Sequence, residues 1–226
     1  MNPDWWPLAR LRLLTPSLEL RLGTLDDLDA LAGLAAEGVH EPGVQPFAFP
    51  WTDASPAERA RSTLQFQWRQ WGAWTPEHWS LDLVVLHEGA VVGTQGVNAK
   101  DFAMLREVST GSWLGLAHQG KGIGTQMRAA VLHLAFECLG ALYATSGAFA
   151  DNYASRAVSR KLGYADDGIE RHVVRGKAVM SHRLRLDRET WQRTRSVPVT
   201  AHGVEQCLPM FGLGSGQHND EPAHVG

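Results

Sequence analysis

The chain has 226 residues, 44% of them hydrophobic and 20% charged, with a formal net charge of −3. These values fit a globular protein with a substantial core and exclude a disordered chain. The slight negative charge gives no basis for non-specific binding to nucleic acid or to an anionic membrane.

Two cysteines, Cys138 and Cys207, form neither a disulfide framework nor a metal-ligand spacing, which points to a reducing, cytoplasmic setting. The ten histidines show no H-x-H, H-x-x-x-H or H-E-x-x-H spacing, so no metal site is expected. The N-terminus carries Asp4 and lacks an apolar core of the signal-peptide type. The longest apolar run, Ala129 to Ala144, is broken by His133 and Glu137 and is too short to cross a bilayer.

Taken in order, Leu11 to Leu22 reads as a first strand interrupted at Pro16. Thr24-Leu25-Asp26-Asp27 supplies an N-cap and an acidic first turn. The helix that follows places Leu25, Leu28, Leu31 and Ala35 on one face and stops at Gly38. From Val39 to Asp53, Phe47, Phe49 and Trp51 alternate with Pro42, Pro46 and Pro50, which excludes a regular element. Such an aromatic loop is either functional or pinned to the core by its rings. Ser55-Pro56-Ala57-Glu58 is a capping box with proline at the first helical position, and Ala57, Ala60, Leu64, Trp68 and Trp71 then recur as a core-facing stripe. Leu81–Leu86 and Val91–Val97 read as a hairpin turned at His87-Glu88-Gly89-Ala90. Asp101–Arg106 is a connector, and Glu107–Leu116 is the next strand. A long helix from Ile123 to Cys138, a short strand Leu142–Gly147, and a helix from Asn152 to Gly163 follow. Ile169–Val174 and Ala178–Leu186 form a last hairpin about Arg175-Gly176-Lys177. After Trp191 the signal weakens, with Val204–Phe211 as one short packed segment and Gly212–Gly226 as a loose tail.

The stretch His118-Gln119-Gly120-Lys121-Gly122-Ile123-Gly124-Thr125 joins a strand to a helix. Its three glycines allow a tight turn and a close backbone approach, and the helix start offers unpaired N–H groups to a phosphate. A Walker A reading fails because Gly122 stands where Ser or Thr must hold magnesium. A dinucleotide fingerprint fails because the spacing is G-x-G-x-G and Gly140-Ala141-Leu142 replaces the acidic residue further on. What fits is Q-x-x-G-x-G, met by Gln119, Gly122 and Gly124.

A second block, Asp151-Asn152-Tyr153-Ala154-Ser155-Arg156-Ala157-Val158 with Lys161-Leu162-Gly163-Tyr164, follows at a fitting separation. Together the two blocks resemble the GNAT N-acetyltransferase superfamily, in the branch that contains the ribosomal-protein N-terminal acetyltransferases. Thr110-Gly111-Ser112-Trp113-Leu114 is similar to the I-G-Y-W-L strand of that branch. The resemblance covers roughly residues 11 to 190. It implies an α/β (α+β) GNAT fold: a single mixed sheet of about seven strands, splayed at the acyl-coenzyme A site and flanked by about four helices. It implies one acyltransferase domain over residues 1–194, with 195–226 as a C-terminal extension.

The same resemblance implies acetyl-coenzyme A, or a longer acyl donor, as co-substrate. Trp113, Leu114, Gly115 and Leu116 would meet the pantetheine arm, and Gln119, Gly120, Lys121, Gly122, Ile123, Gly124 and Thr125 the pyrophosphate. Asn152 would contact the arm, and Ser155 would protonate the leaving thiolate. The base stays open. Ser109 and Thr110 stand where many relatives carry an acidic residue, which leaves Glu107, on the same strand face as Ser109, His172 on the penultimate strand, or ordered water. The expected acceptor is an amine-bearing small molecule or a protein N-terminus, with no nucleic acid or membrane and with a homodimer left open. A donor-binding sensor without turnover is the competing reading.

Overall fold

A computed structural model describes residues 1–41 and 43–214. The first half runs β1 (Arg12–Leu14), β2 (Leu18–Arg21), α1 (Leu25–Glu37), α2 (Pro56–Gly72), β3 (His78–His87), β4 (Ala90–Lys100) and α3 (Phe102–Leu105). The second runs β5 (Glu107–Leu114), α4 (Ile123–His133), β6 (Tyr143–Phe149), α5 (Tyr153–Lys161), β7 (Ala165–Val174), β8 (Lys177–Asp187), α6 (Arg188–Thr194) and β9 (Thr200–His202). A π-helical turn, Leu134–Cys138, prolongs α4.

Among the described residues, all nine strands join one mixed sheet in the order β7-β8-β6-β5-β4-β3-β2-β1-β9. Only β5 and β6 pair in parallel. The expected fold class is the one observed, with more strands than the roughly seven expected. One extra strand arises because Leu11–Leu22 is a hairpin rather than a single strand, with Arg12 opposite Arg21. Pro16 has no N–H to give a ladder, and Thr15 closes the turn on Leu18, accepting at Oγ1 from its N–H (3.1 Å) and donating to its carbonyl (2.9 Å). The other is β9, which pairs with the outer edge of β1.

Both long hairpins turn on a pair of left-handed residues, Glu88-Gly89 (φ 51 and 79) and Arg175-Gly176 (φ 51 and 71). Those values match the two-residue turns whose twist suits antiparallel strands. One face of the sheet meets α4 in the main core, where Leu81, Leu83, Val97 and Val108 pack with Met127, Ala130, Val131 and Leu134. The other face packs Val84 and Leu86 against Leu28 and Leu31 of α1. Leu25, expected on that inner face, is 73% exposed.

The helix α2 departs from its expected stripe. Thr63 and Gln67 are buried, while Ala57 and Trp68 are exposed. Arg59 sets the rotation, because its guanidinium donates to the carbonyls of Ala35 (3.0 Å) and Ala36 (2.5 Å) at the end of α1. Residues four and eight further along must then face inward too. Trp74 and Trp79 go elsewhere, into an aromatic cluster with Phe102 and Phe211. Phe211 and Cys207 are delivered by a 3-10 turn, Glu205–Phe211, and both are fully buried. Of the tail expected from Gly212 to Gly226, Leu213 is buried and residues 215–226 lie outside the described residues. No helix among the described residues is long and apolar enough to cross a membrane.

The start of α1 rests on Asp27, which completes the capping box with Thr24 and pairs with Arg21 (Nη1 to Oδ2, 2.6 Å). Burial pushes its carboxyl up, but hydrogen bonds from Thr24 and the Arg21 charge outweigh it and hold the group below the usual carboxylate range. A depressed folded pKa gives stability that is present above the unfolded value and lost as pH falls through the folded one. Asp27→Asn is expected to cost about 1–2 kcal/mol at neutral pH in urea unfolding, with the difference closing in acid.

Candidate active site

The parallel pairing of β5 and β6 is short: Glu107 to Tyr143, Val108 to Ala144 and Ser109 to Thr145. Beyond it Thr110–Leu114 and Ser146–Phe149 diverge, each held from its outer side by β4 or β8. Side chains tie the apex of this V. The Thr110 hydroxyl reaches the Thr145 carbonyl (3.3 Å) and the buried Tyr164 hydroxyl (3.2 Å), and Thr145 Oγ1 donates to Val108 (3.2 Å). Main-chain groups that would extend the ladder are left facing the opening.

The strand β5 then leads through Gly115 and a 3-10 turn, Leu116–His118, into the glycine loop and α4. Gly120 (φ 73) and Gly122 (φ 83) are left-handed, and a Cβ on either would meet nothing within 4 Å. Their need for glycine is conformational, and the space above them is open. No side chain caps α4, and no protein carbonyl among the described residues takes the N–H groups of Gly120 to Gly124. Lys121 is exposed beside them. These features form a cradle for an anion at a helix start. Gln119 does something else: its amide donates to the Val39 (2.8 Å) and Leu114 (3.0 Å) carbonyls, fastening the loop to the end of α1 and the tip of β5. The Leu116 N–H is likewise committed, to Gly38 (3.3 Å), and Ile123 and Thr125 turn their side chains into the core.

Beyond the other arm of the V, Asn152 caps α5, accepting at Oδ1 from the Ser155 N–H (3.1 Å). Ser155 faces α4, where Arg128 Nη2 donates to its Oγ (3.5 Å) and Nη1 to Ser159 Oγ (2.7 Å). Arg128 is 5% exposed, and burial lowers its pKa.

Register places Gly111 and Trp113 of β5, Gly147 and Phe149 of β6, Ser181 and Arg183 of β8, and Glu170 and His172 of β7 on the α1 face. A groove of about 420 Å³ opens there, lined by Glu107, Ser109, Thr145, Asp167 and Arg185 among others. The expected base candidates separate on this face. Glu107 sits at the closed end of the V and is paired to Arg185 (3.0 Å). His172 lies at the open end, with its ring 6.1 Å from that of Phe149 and its Nε2 3.6 Å from Glu170. The aromatic loop forms the facing wall through a row of tilted rings, His40, Phe47, Trp51 and Trp113, with successive ring centroids 6.2, 5.3 and 5.8 Å apart. Asp53 at its end clasps Arg175 of the β7–β8 turn (Nε to Oδ2, 2.7 Å), and this hydrogen bond holds the Asp53 carboxyl below its usual range.

Residues 17–165 match the model of an acetyltransferase (GNAT) domain. The chain belongs to the GNAT acetyltransferase family. Solved structures similar to this GNAT chain include RimL, a ribosomal L7/L12 alpha-N-protein acetyltransferase, in complex with coenzyme A. It is 19% identical, with 78% of this chain and 97% of that one covered and a TM-score of 0.62. RimJ of Mycobacterium smegmatis, in complex with CoA-disulfide, is 18% identical over 81% of this chain and 90% of that one, at a TM-score of 0.61. A GCN5-related N-acetyltransferase from Brucella melitensis is 18% identical over 80% of each chain, at 0.63.

Three features of the GNAT site escaped the motifs. The signal for Arg128 was a charge inside an otherwise apolar helix stripe, between Met127 and Ala129. His40 and the Asp53–Arg175 clasp had no local signal. Gly122→Val is expected to weaken coenzyme A binding at least about tenfold in calorimetry, roughly 1.4 kcal/mol, with the far-ultraviolet spectrum unchanged.

Proposed function

We propose that this protein transfers an acyl group, acetyl by default, from acyl-coenzyme A to a primary amine by direct attack in a ternary complex. The observation that carries this is the V between β5 and β6, with a groove on its α1 face and an uncapped helix start at its donor end. The N–H groups of Gly120, Lys121, Gly122, Ile123 and Gly124 would bind the pyrophosphate. The free edge of β5 around Trp113 and Leu114 would align the pantetheine arm and polarise the thioester carbonyl.

His172 stands at the open end of the V and takes one proton from the incoming ammonium. Glu107 is spent on Arg185 and acts in shaping the groove. The amine nitrogen then attacks the carbonyl carbon, the C–N bond forms, and the C–S bond breaks with its electron pair going to sulfur. The Ser155 hydroxyl gives its proton to sulfur and regains one from the nitrogen, so the charges balance. The aromatic wall of Phe47, Trp51 and Trp113 and the carboxylates Asp53 and Glu170 suit a cationic amine beside an apolar group. A protein N-terminus, the acceptor named for RimL, and a small aromatic-bearing amine both meet that description.

Thiol release measured over a panel of N-terminal peptides and small amines tests the reading. Tight donor binding with no release above hydrolysis would leave a donor-binding module instead. Ser155→Ala is expected to lower kcat about 100-fold with the donor Kd little changed. In His172→Ala the acidic limb of the pH–kcat/KM profile should disappear; an unchanged limb passes the role to ordered water. The clasp is exposed and so weakly held, which lets it open for a bulky acceptor. Asp53→Ala should change the acceptor KM and leave the donor KM and the melting temperature unmoved.

A further inference from the structure

Arg128 is buried in α4 without a counter-charge: no ion pair among the described residues includes it. Its Nε–H has no hydrogen-bond partner. An arginine keeps its proton in a protein, so the cost of burial cannot be escaped by neutralisation. An apolar side chain of similar size would pack the same interface between α4 and α5 at no such cost. The Tyr164 phenol, the ionisable group whose charge would act on Arg128, is pushed up by burial and stays neutral, so it does not compensate.

Counting hydrogens shows what the guanidinium does to its neighbours. Ser159 Oγ accepts from Arg128 and donates its own proton to the Ser155 carbonyl (3.0 Å), so both its roles are taken. Ser155 Oγ accepts from Arg128 and, among the described residues, donates to nothing. A guanidinium has no acceptor, so the Ser155 proton must point away from it. Asn152 fixes the Ser155 backbone at the same time. The result is a hydroxyl whose proton is turned away from the guanidinium and free to donate, backed by an unneutralised positive charge.

We propose that Arg128 is a positioning residue for acyl transfer, orienting the Ser155 hydroxyl as a donor to the departing sulfur and favouring the thiolate with its charge. This rests on the acyltransferase reading above. On that reading the sulfur of coenzyme A, once the C–S bond has broken, would be an anion beside that hydroxyl, and a buried cation behind it would lower the energy of the charged form.

The test is an ultraviolet pH titration of the thiol of bound coenzyme A, alongside steady-state kinetics. The protein's own thiols do not intrude, since burial pushes Cys138 and Cys207 up to about 11. In the unaltered protein the bound thiol should ionise at lower pH than free coenzyme A. Arg128→Met should return it toward the free value and lower kcat at least about tenfold, with donor KM within about twofold. Arg128→Lys, which keeps the charge but not the fork, should restore the thiol shift more than the rate. Ser155→Ala combined with Arg128→Met should be slower than Ser155→Ala alone, but by clearly less than the loss Arg128→Met causes by itself. A bound thiol that titrates as free coenzyme A, in a protein that binds and turns over normally, overturns the role of Arg128 alone. So does multiplication of the two single-mutant losses. Should Arg128→Met fail to fold, the unaltered protein and Arg128→Lys still decide the matter. Absence of any coenzyme A binding overturns both this role and the reading beneath it.

Discussion

The parallel ladder between β5 and β6 ends after Ser109 and Thr145, and the arrangement of the rest follows from that break. Two strands that separate in the middle of a sheet leave main-chain donors and acceptors unmet, which the interior of a fold does not tolerate without a substitute. Here the separation is enforced from outside. The strand β4 grips β5 along its whole diverging length, and β8 grips β6. At the apex, Thr110, Thr145 and Tyr164 set the point from which the arms open. A linear ligand carrying amides is the natural filler for such a slot, because it can answer one strand edge as another strand would.

The two faces of the sheet then divide the labour. On the α4 face, the glycine loop leaves its N–H groups bare while the helix behind it is anchored by the largest apolar cluster in the chain. The apolar core holds that helix start in place while the space above the loop stays open. On the α1 face, α1 packs on β3 and β4, reaches Arg21 of β2 and borders Trp113 of β5, and the strands beyond β5 remain as a floor walled by aromatic rings. The reacting atoms would meet where these two halves share the slot, between a donor hydroxyl on α5 and a histidine on β7.

How much of this could be read beforehand depends on the range of the interaction. The glycine loop, the Thr24 and Ser55 caps and the two left-handed turns are decided by neighbours in the chain, and they stand where their residues place them. The failures involve partners that sequence spacing does not link. The rotation of α2 is set by Arg59 reaching the end of α1, which overrides an apparently apolar stripe. Pro16 looked like a flaw in one strand and is the corner of two, because the partner strand is the same run folded back. Arg59 and Asp53 share this character: each was an ordinary charge in sequence, and each acquires its meaning from groups at least 23 positions away.

The edge strand β9 brings a different consequence. Residues 12–14 find their outer partner only in residues 200–202, and the aromatic cluster around Trp79 is sealed by Phe211. During synthesis both must wait until residues 200–211 have left the ribosome. Until then the nascent chain carries an uncovered strand edge beside a bare patch of tryptophan, a combination that invites capture by chaperones.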